Sequence, residues 1–165
     1  MATRILIADD HPFVRRSLRT LLEGSAHDWE VCGEAENGQE AVAKAQNLCP
    51  DLIILDWVMP GGDGLQAARE ILKTQPSVRI VMHTLHNGRE IENEARKVGV
   101  QHVVSKTHGG SALIREIETL LQEGLPLEQA APAQKSTPRV PEPGAPGTRD
   151  GESDPPLKCG GKEQS

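Results

Sequence analysis

Residues 50–65 read PDLIILDWVMPGGDGL. Four aliphatic residues, Leu52 to Leu55, stand between Pro50-Asp51 and Asp56, and a Gly-rich turn separates them from a helical pattern that begins at Leu65. A run this short and this uniformly apolar reads as a strand covered on both faces, as strands are in parallel sheets. The same unit recurs on either side. Residues 5–8 run into Asp9-Asp10, residues 29–35 form a second run, residues 78–82 lead to Thr84, and Val103-Val104 lead to Lys106. Between these runs apolar residues return at close to helical spacing: Phe13, Leu18, Leu21 and Leu22; Ala41, Val42, Ala45 and Leu48; Leu65, Ala68, Ile71 and Leu72; Ile91, Ala95 and Val98; Leu113, Ile117, Leu120 and Leu121. Five strands alternating with five helices predict a doubly wound α/β domain with a five-stranded parallel sheet and right-handed crossovers.

Local signals agree with this pattern. Asn37, Asn87 and Ser111 are placed to cap helices, Gly24 and Gly99 to end them, and Pro50 and Pro76 precede strands. The 165 residues suffice for one such domain. Composition changes near position 125, after which the last 40 residues hold eight prolines and five glycines without apolar periodicity. We expect a globular domain over residues 1–124 and a Pro/Gly-rich disordered tail over 125–165, because such a segment buries too little apolar surface to offset its ordering entropy. The tail has neither the length nor the amphipathic pattern of a helix-turn-helix output domain, so direct DNA binding is not expected.

Charge and residue usage exclude further classes. Residues 1–124 carry 13 basic and 18 acidic side chains, a balance that gives no positive field for phosphate backbones or anionic lipid. Three aromatic residues, Phe13, Trp29 and Trp57, are too few for a base-stacking platform. Cys32, Cys49 and Cys159 form neither an even disulfide set nor a CxxC pair, so buried or free thiols are expected. The chain does not open on a signal-like apolar stretch and has no run of membrane-spanning length, which points to a cytoplasmic protein without a membrane partner.

In an open parallel sheet, chemistry gathers beyond the carboxyl ends of the strands. Asp9, Asp10 and Asp56 should meet there, together with Thr84 and Lys106. Crowded carboxylates raise one another's pKa unless a cation neutralises them, and an all-oxygen set suits Mg²⁺. A carboxylate beside Mg²⁺ can attack phosphorus, because the metal screens its charge from the phosphoryl oxygens. Lys106 can then offset the charge of a new phosphoryl group and Thr84 donate to one of its oxygens. Taken singly, each residue is an ordinary cap or surface group; the convergence carries the chemistry.

Two other constellations are read as structural. His11, His83, His86, His102 and His108 are scattered over loop and strand positions and are expected to satisfy local hydrogen bonds rather than to bind zinc. PGGDG is too short and wrongly ordered for a P-loop or dinucleotide fingerprint. A phosphatase or phosphotransferase acting on small molecules is disfavoured because short βα connections leave no substrate cap.

The segments ILIADDHPFVRRSLRTLLE (5–23), PDLIILDWVMPGGDGLQAARE (50–70), VRIVMHTLHNGREI (78–91) and HVVSKT (102–107) together resemble the receiver domain of two-component response regulators. DDHPFVRRSLRTLL and LDWVMPGGDGL are similar to its NarL/FixJ-type branch. The resemblance covers residues 1–124 and implies a CheY-like, flavodoxin-like sheet of order 2-1-3-4-5. It further implies that Asp56 accepts a phosphoryl group from a phosphohistidine on a sensor histidine kinase or phosphotransfer protein. Asp9, Asp10, Asp56 and the backbone carbonyl of Val58 would bind Mg²⁺, Thr84 would follow the phosphoryl group, and Lys106 would be its charge partner. Met59-Pro60 and Gly64 match the family's turn after the acceptor, where glycine supplies conformations other residues avoid.

The implied function is that of a stand-alone receiver in a phosphorelay: a phosphoprotein rather than an enzyme with a separate substrate, signalling by contact with an unidentified downstream protein, with a weak homodimer among its assemblies. The alternative is an adaptor that uses the fold as a docking surface independently of phosphorylation. Two positions depart from the family pattern. Val103 stands where an aromatic switch residue is often found, and Thr107 where a proline often follows the lysine.

Overall fold

The computed structural model describes residues 1–86 and 88–123. In chain order these form β1 (Thr3–Ala8), α1 (Pro12–Glu23), β2 (Trp29–Ala35), α2 (Gly38–Leu48), β3 (Leu52–Leu55), β4 (Val58–Met59), β5 (Gly62–Asp63), α3 (Gly64–Thr74), β6 (Arg79–Thr84), α4 (Arg89–Val98), β7 (His102–Ser105) and α5 (Gly110–Glu123), with a 3-10 turn at Lys106–His108. Five strands make one parallel sheet in the order β2-β1-β3-β6-β7. With the small antiparallel β4-β5 hairpin set aside, this is the expected 2-1-3-4-5 order.

Alternation inside the apolar runs builds the two layers, since successive strand side chains leave on opposite faces. Leu6, Ala8, Ile53, Leu55, Ile80 and Met82 pack with Ala41, Ala45, Ala68, Ile71 and Ala95 of α2, α3 and α4. Ile5, Ile7, Leu52, Ile54, Val81 and Val104 pack with Leu18, Leu22, Leu113, Ile117 and Leu120 of α1 and α5. Each run therefore supplies two cores at once, which is why it shows no polar alternation. Among the described residues no helix is long and apolar enough to cross a membrane.

Helix ends follow the sequence signals in part. Asn37 Oδ1 accepts from the Glu40 amide at 2.8 Å while Glu40 Oε2 accepts from the Glu36 amide at 2.7 Å, closing the start of α2 with two side-chain bonds. Gly99 ends α4 at φ 111°, whereas Gly24 ends α1 at φ −86°. At Gly24 the requirement is space, because a Cβ would lie 2.9 Å from the Thr20 carbonyl oxygen. Ser111 lies inside α5 rather than at its cap, and Gly88 occupies the cap of α4; Asn87 is outside the described residues. Cys32 is a free, half-buried thiol, as expected. Cys159 and the tail expected over 125–165 lie outside the described residues.

Candidate acidic site at the sheet edge

The last bonds of the backbone ladder hold the acids in place. Asp9 N–H donates to the Ala35 carbonyl at 3.0 Å and Asp56 N–H to the Ala8 carbonyl at 2.9 Å. Ala8 is in register with Leu55, and Leu55 with Met82. One further step sets Asp9 beside Asp56 and Asp56 beside His83. On the next pair Thr84 faces Ser105, the residue before Lys106. The candidate side chains thus converge on one edge, with Asp9 2%, Asp56 5% and Thr84 1% exposed.

Lys106 bridges the two buried acids. Its Nζ lies 2.6 Å from Asp9 Oδ2 and 2.9 Å from Asp56 Oδ2. The turn that aims it is tied down by Ser105, whose Oγ accepts from the Thr107 amide at 3.2 Å and meets Thr107 Oγ1 at 2.8 Å. The other carboxylate oxygens are held by amides: Asp9 Oδ1 accepts from His11 N–H at 2.9 Å and Asp56 Oδ1 from Trp57 N–H at 2.7 Å. Arg15 reaches the same corner without neutralising it. Its Nη1 donates to the Asp9 carbonyl at 2.7 Å and its Nε to Glu34 at 3.1 Å.

The charges show in the titration of these groups. Burial lifts the Asp56 carboxyl above its ordinary range, the neighbouring charge of Asp9 adds to that, and Lys106 works against it. Burial opposes the Lys106 ammonium, but its bonds to Asp9 and Asp56 prevail and its pKa rises. His83 is 8% exposed and its Nδ1 has no hydrogen-bond partner among the described residues. Burial, with the Lys106 charge behind it, pushes this imidazole down to about 4, so it is neutral at pH 7.

The donor set fits a divalent cation. Asp10 Oδ1 is a buried oxygen that faces the His11 ring, whose Nδ1 lies 2.9 Å away. One ligand atom from each of Asp9, Asp10, His11 and Asp56 falls within 4.8 Å of the others. Three of the four residues are carboxylates, the hard oxygen ligands Mg²⁺ prefers. Val58, whose carbonyl was expected to join them, opens β4 opposite Asp63.

Two features were not readable from the sequence in the form found. Gly64 does not adopt the unusual backbone conformation expected of it; Gly61 and Gly62, at φ 80° and 142°, do. Gly64 is needed for close approach: a Cβ there would sit 1.9 Å from the Asp56 carbonyl oxygen. Its amide donates to the Trp57 carbonyl at 2.7 Å, docking the start of α3 against the acceptor turn. The histidines also divide. His102 pairs with Glu116 at 2.6 Å, as expected of a locally satisfied ring. His11 likewise sits on its neighbour, with Nδ1 2.9 Å from Asp10 Oδ1, whereas His83 Nδ1 is unpartnered among the described residues. Adjacency to Asp9-Asp10 was the available signal for His11, and the step from Asp56 across the sheet was the missing one for His83.

Comparison with known proteins agrees with this geometry. The family model described as the response regulator receiver domain matches residues 5–118. A chemotaxis protein CheY from Thermotoga maritima is 33% identical over 117 residues, covering 71% of this chain and 96% of that protein. The response regulator protein VraR from Staphylococcus epidermidis is 37% identical over 111 residues, 67% of this chain and 53% of that longer protein. Among solved structures, a LuxR-family two-component response regulator from Aurantimonas sp. SI85-9A1 superposes with a TM-score of 0.71 at 30% identity, covering 76% of this chain and 89% of that one. The response regulator domain of Thermotoga maritima CheB superposes at 0.67 with 32% identity, over 72% and 96% of the two chains. The chain therefore belongs to the response regulator receiver domain family.

Proposed function

We propose that Asp56 accepts a phosphoryl group from a phosphohistidine on a sensor histidine kinase or phosphotransfer protein, and that the receiver signals through protein–protein contacts in the cytoplasm. The observation that carries this reading is the Lys106 Nζ bridge between Asp9 and Asp56 at 2.6 and 2.9 Å, inside the cluster that also holds Asp10. An Asp56 oxygen forms the new bond to phosphorus as the phosphorus–nitrogen bond of the donor breaks, and the departing imidazole keeps that electron pair. Lys106 already touches the acceptor and is placed to pair with the charge that arrives. The Thr84 hydroxyl, held at the same edge and accepting from the His86 amide at 3.2 Å, is the donor for a phosphoryl oxygen.

Asp9, Asp10, Asp56 and the Val58 carbonyl would hold Mg²⁺, which when bound supplies the charge neutralisation that lets a carboxylate approach a phosphoryl group. In this reading the protein assists its own phosphorylation and has no separate substrate. Acetyl phosphate with Mg²⁺ should label the wild-type protein with one hydroxylamine-labile phosphoryl group, and Asp56→Asn should abolish the label because an amide is a poor nucleophile. Label on a histidine, or unchanged label in Asp56→Asn, would overturn the assignment. A protein that engages its partners identically with and without Asp56 would instead be the phosphorylation-independent adaptor.

A further inference from the structure

We propose that His83 is a positioning residue for Lys106: the lysine side chain crosses its ring on the way to Asp56, and the ammonium donates a hydrogen bond to the vacant Nδ1 as charge arrives on Asp56. This inference rests on the reading of Asp56 as the phosphoacceptor and adds a residue that reading leaves unused.

Three observations carry it. First, the ring stands in the row of acids. Ala8, Leu55 and Met82 are in register across β1, β3 and β6, and the amides of Asp9 and Asp56 continue that ladder, so Asp9, Asp56 and His83 occupy the next level. Ile7, Ile54 and Val81, two residues earlier on the same strands, all pack toward α1 and α5, and strand alternation sends the three polar side chains to that face as well. Second, Lys106 has to pass the ring. The lysine follows β7, yet its Nζ reaches Asp56 at the end of β3 and Asp9 at the end of β1, at 2.9 and 2.6 Å. β6 lies between β7 and β3, and His83, in register with Val104 of β7, is its residue at that level. Third, a donor and an acceptor are left over. An ammonium carries three protons, of which Asp9 and Asp56 take two. His83 is 8% exposed, and its Nδ1 is buried without a partner among the described residues. Burial and the Lys106 charge keep the ring unprotonated at pH 7, as an acceptor must be.

An aliphatic side chain would fill the same place without leaving a buried acceptor unpaired, which weakens a fold. The nitrogen gains a partner when Lys106 moves. Charge placed on Asp56 draws Nζ from Asp9, and Nδ1 then replaces the bond that Asp9 loses, so the ammonium stays fully paired in its new position.

The test uses the full chain at pH 7.5 with Mg²⁺, beryllofluoride as phosphoryl mimic and acetyl phosphate as donor. Long-range ¹H–¹⁵N spectra of the histidine rings should show His83 Nδ1 moving upfield on addition of beryllofluoride in the wild type and staying put in Lys106→Ala. His83→Leu should slow labelling by acetyl phosphate about tenfold, while His83→Asn, whose side-chain oxygen can stand near the place of Nδ1, should label within about threefold of the wild type. A ring that responds alike in the wild type and in Lys106→Ala overturns the proposal. Labelling of His83→Leu at the wild-type rate overturns it too, as does equal slowing in the Leu and Asn variants, which would mean that the ring only packs. Each of these results leaves Asp56 standing as acceptor, whereas a wild type that takes no label from acetyl phosphate removes this proposal together with the reading beneath it.

Discussion

A buried neutral imidazole makes this domain acid-sensitive in a way a single substitution should cancel. His83 sits one strand from Asp56 with an unpartnered Nδ1, and its pKa falls from the ordinary 6.5 to about 4. A depressed folded-state value means the unfolded chain binds the proton first. The stability linked to this group is therefore fully present above pH 6.5 and is lost as pH falls through 6.5 toward 4. At pH 5 the unfolded imidazole is almost fully charged and the folded one is not, which costs about 2 kcal/mol; near pH 4 the cost approaches about 3 kcal/mol. His83→Leu removes both the proton site and the unsatisfied nitrogen and keeps an apolar side chain against Val81 and Val104. Urea unfolding of both proteins at pH 7.5 and pH 5 isolates the linkage: the wild type should lose about 2 kcal/mol more than the variant between the two conditions. Loss of stability in parallel, within about 0.5 kcal/mol, would refute the reasoning and mean that the ring titrates alike in the folded and unfolded chain.

Further outcomes follow from individual contacts. Gly64→Ala should destabilise the domain by about 3 kcal/mol and impair phosphorylation, since its Cβ would meet the Asp56 carbonyl at 1.9 Å; Gly61→Ala, strained at φ 80° but with open space around it, should cost only about 1–2 kcal/mol. A loss under about 1 kcal/mol at Gly64, again by urea unfolding, would remove the close-approach argument. Trp57 donates its amide to Asp56 Oδ1 at 2.7 Å, so its fluorescence should respond to Mg²⁺ and then to beryllofluoride, against a background from Trp29, which stacks on His27 at 4.2 Å. An unchanged spectrum across millimolar Mg²⁺ counts against the site. Val103→Tyr should enlarge phosphorylation-dependent NMR shift changes along α4 and β7, because a cleft of about 240 Å³ lined by Glu92, Arg96, Val100 and Val103 has room for a ring that valine does not fill. A large rearrangement of that face already in the wild type sinks this expectation.

The parts of the fold that were legible share a cause. Uniform apolar runs such as Ile53 and Ile54 inside Leu52–Leu55 announce a sheet with two covered faces, and residues that end such runs must lie at one edge whatever the loops do. Asp9, Asp56, Thr84 and Lys106 were readable for that reason. The β4-β5 hairpin was not, because two-residue strands carry no period. Asp63 as the cap of α3 was hidden inside a glycine-rich turn, although its Oδ1 accepts from the Gln66 amide at 2.8 Å. Gly64 was found for the wrong reason, since close approach to a backbone leaves no mark distinguishable from turn chemistry. His83 required the cross-strand register, which no single segment contains.

The edge also has a charge deficit that its neighbours leave in place. Three carboxylates stand against one ammonium, and Arg15, whose guanidinium reaches the Asp9 carbonyl, is committed to that carbonyl and to Glu34. At an effective dielectric of 20, two unit charges about 4 Å apart interact by about 4 kcal/mol, so repulsion between Asp9 and Asp56 takes back part of the attraction that Lys106 supplies at 2.6 and 2.9 Å. Burial raises the Asp56 pKa, Lys106 works against that rise, and the Asp9 charge adds a smaller push in the same direction as burial. An arrangement optimised for stability alone would place a second cationic side chain here or replace an acid by an apolar residue. In the proposed reading, retaining the imbalance would make the folded state respond to a bound cation, which would stabilise it by mass action. The same imbalance keeps Lys106 shared between two carboxylates, free to follow new negative charge placed on one of them.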